Sequence, residues 1–268
     1  PILERYQALE DKVAAYTPNL DTKRLFDAFT YADTEHHGQL RKSGEPYIIH
    51  PLAVADIVAD LGLDVDSVIA ALLHDCIEDT DATHEEIAKK FGEPVAELVE
   101  GVTKLTRVQY VSKEEEQMEN LRKMLMAMAK DIRVILIKIC DRLHNMRTMD
   151  YQSGEKQLIK SAETMEIYAP IAHRLGMQKI KWELEDRSLY YLDREGYKEI
   201  TDALSTRMDT LRVFMDKTVF ELFADEREAL SLVVPVCTGG CRIEVGGVFE
   251  QSLLWEYDTR DVFRYYDD

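Results

Sequence analysis

Through the first three quarters of the chain, apolar residues recur every three or four positions, which is the period of an α-helix. Two stretches that show this period are Val54, Ile57, Val58 and Leu61, and Val95, Leu98, Val99 and Val102. Polar residues mark where such helices begin. Thr83 and Glu86 have the spacing of a capping box, and Asp64 or Asp66 precedes the apolar run around Val68. We therefore predict helix after helix from residue 1 to about 200.

Helix ends are predicted from the same pattern. The glycines expected near helix ends are Gly62, Gly92 and Gly101. Two helices are expected within 114–147, separated near residues 130–131. Another pair is expected over about 156–175 and 178–192.

After about Leu204 the pattern changes to short runs rich in β-branched and aromatic residues. These runs are 211–214, 219–223, 230–236, 242–245 and 248–254, with glycine pairs at 239–240 and 246–247 as turns. They predict three to five antiparallel strands. The expected fold class is therefore mainly α, with a short β-rich C-terminal appendage.

Composition narrows the class of protein. Hydrophobic residues make up 46% of the chain and charged residues 31%, which is ordinary for a globular domain with a buried core. No apolar stretch is long enough for a membrane span, and the N-terminal sequence predicts no signal peptide. The net charge of −18 argues against nucleic-acid binding and against an anionic membrane surface. A divalent cation with a few local Arg and Lys side chains can still hold an anionic ligand.

The four cysteines favour a cytoplasmic location. Cys76 and Cys140 lie inside apolar helical patterns and are expected in the core. Cys237 and Cys241 have no second pair of ligands nearby, so a zinc site is not expected there. Reduced thiols in the cytoplasm are the simplest account of all four.

Histidine and aspartate residues at the ends of predicted helices suggest a metal site. His74 and Asp75 are adjacent at the end of an apolar helix and can reach one ion, while Glu78 shares their face if the helix continues. His50 begins an earlier helical pattern, and Asp141 follows a later apolar run. Each alone has an ordinary structural explanation. Together they supply ligands that suit Mn, Fe, Co or Zn.

Longer runs of sequence carry these same residues. They are 41–51 (RKSGEPYIIHP), 74–80 (HDCIEDT), 100–105 (EGVTKL), 120–149 and 168–176 (YAPIAHRLG). Through them, residues 1 to about 198 resemble the N-terminal hydrolase domain of the RelA/SpoT homologue family, part of the HD phosphohydrolase superfamily. Family members whose hydrolase has decayed lose the HD-x-x-ED run. This chain retains it, so the resemblance implies an active, multi-helical HD-domain phosphohydrolase.

The resemblance also implies roles for individual residues. It implies that one Mn2+ is bound by His50, His74, Asp75 and Asp141. It implies that Glu78 and Asp79 help to activate the attacking water. The nucleotide would be bound by Arg41, Lys42, Ser43, Tyr47, Asn145 and Thr148. The implied reaction is hydrolysis of the 3′-pyrophosphate of the alarmones ppGpp and pppGpp to GDP or GTP and pyrophosphate. That reaction ends the stringent response. An oligomer is compatible with this interpretation.

The family resemblance also suggests a division into domains. We expect the hydrolase domain over 1–153, a helical linker with the start of a truncated synthetase region over 154–200, and a β-rich tail over 201–268. No segment like G-R-x-K-H-x-Y-S follows residue 198, so synthetase activity is not expected. A short stretch, 211–235, resembles the closing strands of the β-sandwich in invertase- and levanase-type glycosidases, which suggests a fusion.

Alternatives remain at this point. The chain could be an HD-superfamily nucleotide phosphohydrolase with another substrate, a non-catalytic alarmone-binding module, or a fragment that folds badly. Four other histidines are assigned no role: His36 and His37 are expected to be solvated, His84 to lie at the surface, and His144 to face away from Asp141. Arg142 and Arg147 are expected in salt bridges rather than at a phosphate.

Overall fold

The computed structural model describes residues 2–106 and 130–204, together with four strands between residues 219 and 257. The chain divides into two compact units, Pro1–Arg194 and Glu195–Asp268. The first unit contains every predicted site residue. The domain boundaries expected near residues 153 and 200 stay a prediction.

The first unit is built from helices throughout its described residues. These are α1 (Ile2–Tyr16), α2 (Thr22–Glu35), α3 (Ile49–Asp60), α4 (Val65–Leu73), α5 (Cys76–Asp79), α6 (His84–Phe91), α7 (Glu93–Thr106), α8 (Ile132–Arg147), α9 (Gly154–Glu163), α10 (Ala169–Arg174) and α11 (Gln178–Leu192). A 3-10 turn lies at Met149–Tyr151 and a π-helical segment at Thr164–Tyr168. The prediction of a mainly α fold is confirmed.

Local sequence explains how several of these helices begin. Thr83 forms the predicted capping box with Glu86 at the start of α6. Asp131 caps α8 by accepting a hydrogen bond from the backbone N–H of Arg133. Asp64 occupies the N-cap position of α4, but its carboxylate accepts from the Ser67 hydroxyl instead of the backbone.

Helix α4 lies at the centre of the first unit. Its residues from Ser67 to Leu73 are all buried, and it packs against α2, α3, α7 and α8. Its residues 68–73 are apolar on every face, which suits such a buried position. The His74–Asp75 pair follows α4 directly, so the central helix places this pair deep in the domain.

Gly101 differs from the prediction, because it lies inside α7 and not at a helix end. A Cβ atom at this position would be 2.8 Å from Cγ2 of Val134, in α8. The glycine therefore allows α7 and α8 to approach closely. Gly62 and Gly92 do lie at helix ends, both with positive φ.

The helical pair predicted after residue 150 is found with one difference. Helix α11 has the predicted bounds, whereas the first member is divided into α9, the π-helical segment and α10. Residues 195–204, which belong to the second unit, are also helical. The helix expected before residue 130 lies outside the described residues.

The second unit contains two antiparallel strand pairs among its described residues. Strand β1 (Val219–Ala224) pairs with β2 (Glu228–Val233), and β3 (Cys241–Glu244) pairs with β4 (Leu254–Tyr257). Strands were predicted at three of these places. Run 211–214, residues 248–253 of the last predicted run, and Cys237 lie outside the described residues. No helix in the described part of the chain combines the length and apolar character that a membrane crossing requires.

Candidate metal centre

Three separate parts of the first unit bring the predicted metal ligands together. His50 lies in the first turn of α3, His74 and Asp75 lie between α4 and α5, and Asp141 lies in α8. Nε2 of His50 is 3.3 Å from Oδ1 of Asp141 and 3.5 Å from Oδ2 of Asp75. Nε2 of His74 is 3.1 Å from Oδ1 of Asp75 and 3.9 Å from Oδ1 of Asp141. The four side chains therefore converge on one small volume.

The donor atoms suit a divalent cation. One ligand atom from each of His50, His74 and Asp141 lies within 4.8 Å of the other two, and all three residues are buried. Nδ1 of His74 is 2.8 Å from the carbonyl of Ala71. A carbonyl only accepts, so Nδ1 carries a proton, and in the neutral ring Nε2 then has the lone pair that can bind a cation. Nε2 is buried, and Oδ1 of Asp75, 3.1 Å away, does not lie in the direction of a hydrogen bond to it, so a bound cation would satisfy this nitrogen.

The electrostatics of this cluster also favour a cation. Burial by itself would raise the pKa of Asp75, but His74 and His50 lower it below its usual value. Burial opposes ionisation of Asp141 too, yet Lys138 and both histidines hold its pKa well below the usual range. Both carboxylates are therefore ionised. Burial would lower the pKa of His74, but the two carboxylates outweigh it and raise this pKa to about 9. Without a cation the cluster thus favours a proton on Nε2 of His74, and a bound divalent cation would take the place of that proton.

A layer of polar side chains holds the carboxylates in place. Lys138 is buried and donates to Oδ2 of Asp141 at 2.8 Å, while Nδ2 of Asn145 donates to Oδ1 at 2.6 Å. The hydroxyl of Tyr47 is 2.8 Å from a carboxylate oxygen of Asp75. Sequence reasoning missed Lys138. Its signal was a lysine inside an apolar run, three residues before Asp141 and therefore on the same helix face.

The two predicted catalytic carboxylates lie in the short helix α5. The apolar helix ends before His74, as expected, so the condition under which Glu78 would share its helix face is not met: α4 ends at Leu73 and α5 begins at Cys76. Glu78 is partly buried in α5 and Asp79 is exposed. Oδ2 of Asp79 is 2.8 Å from the Tyr47 hydroxyl, which therefore lies between the carboxylates of Asp75 and Asp79.

Some of the predicted nucleotide-binding residues form one hydrogen-bonded group. Nη2 of Arg41 is 3.1 Å from Oγ1 of Thr148 and 3.3 Å from Oδ1 of Asn145. Asn145 also contacts Asp141, so it connects this group directly to the metal cluster. The guanidinium carbon of Arg41 is 5.9 Å from the centre of the Tyr47 ring.

Lys42 and Ser43 have contacts outside that group. Nζ of Lys42 is 2.7 Å from Oε1 of Gln152, and the Ser43 hydroxyl is 3.3 Å from Oε2 of Glu45. Both residues are in the same loop as Arg41. Their side chains are not joined to the Arg41 group by any of these contacts.

Two histidines that were assigned no role lie beside the site, His36 buried and His144 partly buried. His36 was expected to be solvated, but it is 3% exposed and stacks on Tyr47 with ring centres 4.5 Å apart. His144 was expected to face away from Asp141, but its Nδ1 is 2.7 Å from Nδ1 of His50. Burial, followed by the nearby charges of His50 and Arg41, lowers the pKa of His144 to about 3.

The arginines expected in salt bridges are found there. Arg142 is buried, contacts Glu163 at 3.0 Å and lies over the ring of Tyr168. Arg147 forms two hydrogen bonds to Glu183. Neither arginine contacts the metal cluster directly. Buried Cys76 and Cys140 are both free thiols in the core, as predicted.

A helical domain that supplies a histidine, a histidine–aspartate pair and an aspartate to one buried cluster defines the HD class of candidate metal centres. Comparison with known families agrees with this class. The sequence model described as "HD domain" matches residues 28–178, more than half of the chain. The chain belongs to this family, and its homologues are of the RelA/SpoT type.

Two curated relatives illustrate the similarity. The bifunctional (p)ppGpp synthase/hydrolase SpoT of Escherichia coli K12 is 45% identical over 224 residues, which cover 84% of this chain and 32% of that protein. A GTP pyrophosphokinase of Myxococcus xanthus is 49% identical over 209 residues, covering 77% of this chain and 28% of that protein. The chain thus spans about a third or less of the length of these relatives.

A solved structure is also similar. It is described as a metazoan ortholog of SpoT that hydrolyses ppGpp and plays a role in starvation responses. It is 26% identical, covers 66% of this chain and 95% of its own, and has a TM-score of 0.44.

Proposed function

We propose that this chain hydrolyses the 3′-pyrophosphate of ppGpp and pppGpp, releasing GDP or GTP and pyrophosphate, with Mn2+ as its cation. The observation that carries the proposal is the buried cluster of two histidines and two ionised carboxylates. Asn145 connects that cluster to Arg41. The names of the relatives support the substrate class, although some are called synthases or pyrophosphokinases and others hydrolases.

In this proposal His50, His74, Asp75 and Asp141 hold the cation. When bound, a divalent ion supplies Lewis acidity: it lowers the pKa of water and neutralises charge that develops on a phosphate. Lys138 and Asn145 donate to Asp141 and so hold one proposed ligand in position.

The other residues act on the nucleotide and on protons. Glu78 and Asp79 are the proposed acceptors of the water proton, since carboxylates near the cluster can serve as general bases. Arg41 is proposed to stack on the purine and to bind phosphate, because a planar guanidinium does both. Lys42, Ser43, Tyr47 and Thr148 are proposed to complete the nucleotide site.

The chain is expected to catalyse hydrolysis only, because the region after residue 198 has no segment like that of the family's synthetase. We keep the division into a hydrolase domain at 1–153, a linker at 154–200 and a tail at 201–268. A cytoplasmic location is proposed from the free thiols of Cys76 and Cys140.

The test is release of GDP and pyrophosphate from ppGpp, measured with Mn2+ and again with excess EDTA. Asp75→Asn should abolish turnover, while Asp81→Asn should not, because Asp81 is an exposed aspartate six residues further along. Turnover that survives EDTA or Asp75→Asn would refute the proposed centre.

The same assay separates the alternative functions. Binding of ppGpp without turnover, in a chain that holds Mn2+, would favour an alarmone-binding module. Turnover of other nucleotides in preference to ppGpp, unaffected by Arg41→Ala, would favour a different HD phosphohydrolase.

A further inference from the structure

His144 contacts the proposed metal ligand His50 through the ring nitrogen that does not face the carboxylates. The two Nδ1 atoms are 2.7 Å apart, whereas Nε2 of His50 faces Asp141 and Asp75. His50 is only 2% exposed. Its hydrogen-bond partner at Nδ1 is therefore a protein side chain, the partly buried His144.

This contact restricts the proton positions on both rings. A hydrogen bond between two imidazole nitrogens needs a proton on one and a lone pair on the other. If Nε2 of His50 is to bind a cation, it must offer its lone pair, so the proton of the neutral ring lies on Nδ1. Nδ1 of His144 must then be the acceptor, and the ring proton of His144 lies on Nε2. Only one tautomer of each ring fits a loaded site.

The other proposed ligands have comparable supports. Nδ1 of His74 donates to the carbonyl of Ala71, and Asp141 accepts from Lys138. For His50 the corresponding partner is His144. Partners of this kind, behind the ligands of a metal, fix their tautomers and orientations and affect metal affinity strongly. His144 follows Asp141 by three residues in α8, so a single helix supplies both a ligand and the support for another ligand.

We propose that His144 is a positioning residue of the metal centre, which accepts the Nδ1 proton of His50 and thereby selects the tautomer and ring orientation that bind the cation. The inference rests on the metal site of the proposed function, but not on which nucleotide is cleaved. It extends the site to a residue that makes no contact with the proposed cation itself.

Two variants of His144 separate the effect of losing the hydrogen-bond acceptor from the effect of changing the side-chain volume. Asparagine and leucine have the same branched shape, but only asparagine places an oxygen near the position of Nδ1. Affinity for Mn2+ is measured by titration calorimetry without nucleotide. His144→Leu should weaken binding about 10- to 100-fold, and His144→Asn should bind at least about tenfold more tightly than His144→Leu.

His37→Leu is the matched control, because His37 is an exposed histidine whose loss removes only a possible surface site for the ion. It should bind Mn2+ as the unmodified chain does. Equal affinity of His144→Leu and the unmodified chain would overturn the inference. Equal losses in His144→Leu and His144→Asn would also overturn it, because the acceptor would then not matter.

A measurement on the unmodified chain covers the case in which His144→Leu fails to fold. In the Zn2+-loaded protein, which is diamagnetic, nitrogen-15 NMR of the rings should show a proton on Nδ1 of His50 and none on Nδ1 of His144. The reverse pattern, or the absence of metal binding, would overturn the inference. Normal metal affinities without ppGpp turnover would refute only the proposed substrate.

Discussion

Gly101 marks a point where helices α7 and α8 leave no space for a larger residue. A methyl group built on it would lie 2.8 Å from Cγ2 and 3.2 Å from Cγ1 of Val134. Val134 is only 5% exposed. Its branched side chain has one strongly preferred rotamer in a helix, so it cannot rotate away at little cost.

The expected effect of Gly101→Ala follows from two opposing contributions. In an open helix, replacing glycine by alanine stabilises by about 1 kcal/mol. Overpacking a core contact costs about 1–3 kcal/mol. The net expectation is a destabilisation of about 1 kcal/mol. With Val134→Ala present, both obstructing methyl groups are gone, and Gly101→Ala should instead stabilise by up to about 1 kcal/mol. The coupling energy is therefore about 2 kcal/mol, within the range for residues in contact.

The assay is urea denaturation of the unmodified chain, the two single variants and the double variant, followed by the helical circular dichroism signal. Gly154→Ala serves as a control, because a Cβ atom at that position meets nothing within 4 Å. If Gly101→Ala stabilises the unmodified chain, or if the two substitutions have additive effects, the proposed close contact between α7 and α8 is refuted.

Three other side chains make contacts whose loss should be measurable. Thr83→Ala removes the capping box of α6 and should cost about 1 kcal/mol of unfolding free energy in urea; no change would mean that the cap is not formed in solution. Tyr47→Phe removes the hydroxyl that contacts Asp75, so ppGpp turnover should fall while unfolding free energy changes by no more than about 1.5 kcal/mol; unchanged turnover would contradict the role given to Tyr47. Lys138→Met leaves buried Asp141 without its ammonium partner and should destabilise the metal-free domain by about 3 kcal/mol, part of which Asp141→Asn should restore in thermal denaturation. If the double variant is as destabilised as Lys138→Met alone, the lysine acts through something other than this ion pair.

Local signals in the sequence were sufficient for much of the fold. The bounds of α11 and the capping box at Thr83 were predicted correctly, because helical period and capping depend on residues only a few positions apart. The position of Gly101 was predicted wrongly for the opposite reason. A glycine fits inside α7 at this point because Val134 lies against it, and Val134 is 33 positions away in the sequence, where no local pattern reveals it.

The same distinction applies to the candidate site. The order of His50, the His74–Asp75 pair and Asp141 was visible in the sequence, and the structure brings these residues together. The burial of His36 and the contact of His144 with His50 were not foreseen. Both depend on how α8 and the loop after α2 pack around the cluster.

The sequence by itself determined the helical character of the first unit, the apolar run at residues 68–73 within α4, and the residue types that can bind a metal. These properties follow from composition and from periods of three or four residues. Only the tertiary structure decided which nitrogen of each histidine faces the carboxylates, and which side chains support them. The physical reason is that hydrogen bonds such as the one between His50 and His144 join residues 94 positions apart, and their geometry is set by helix packing.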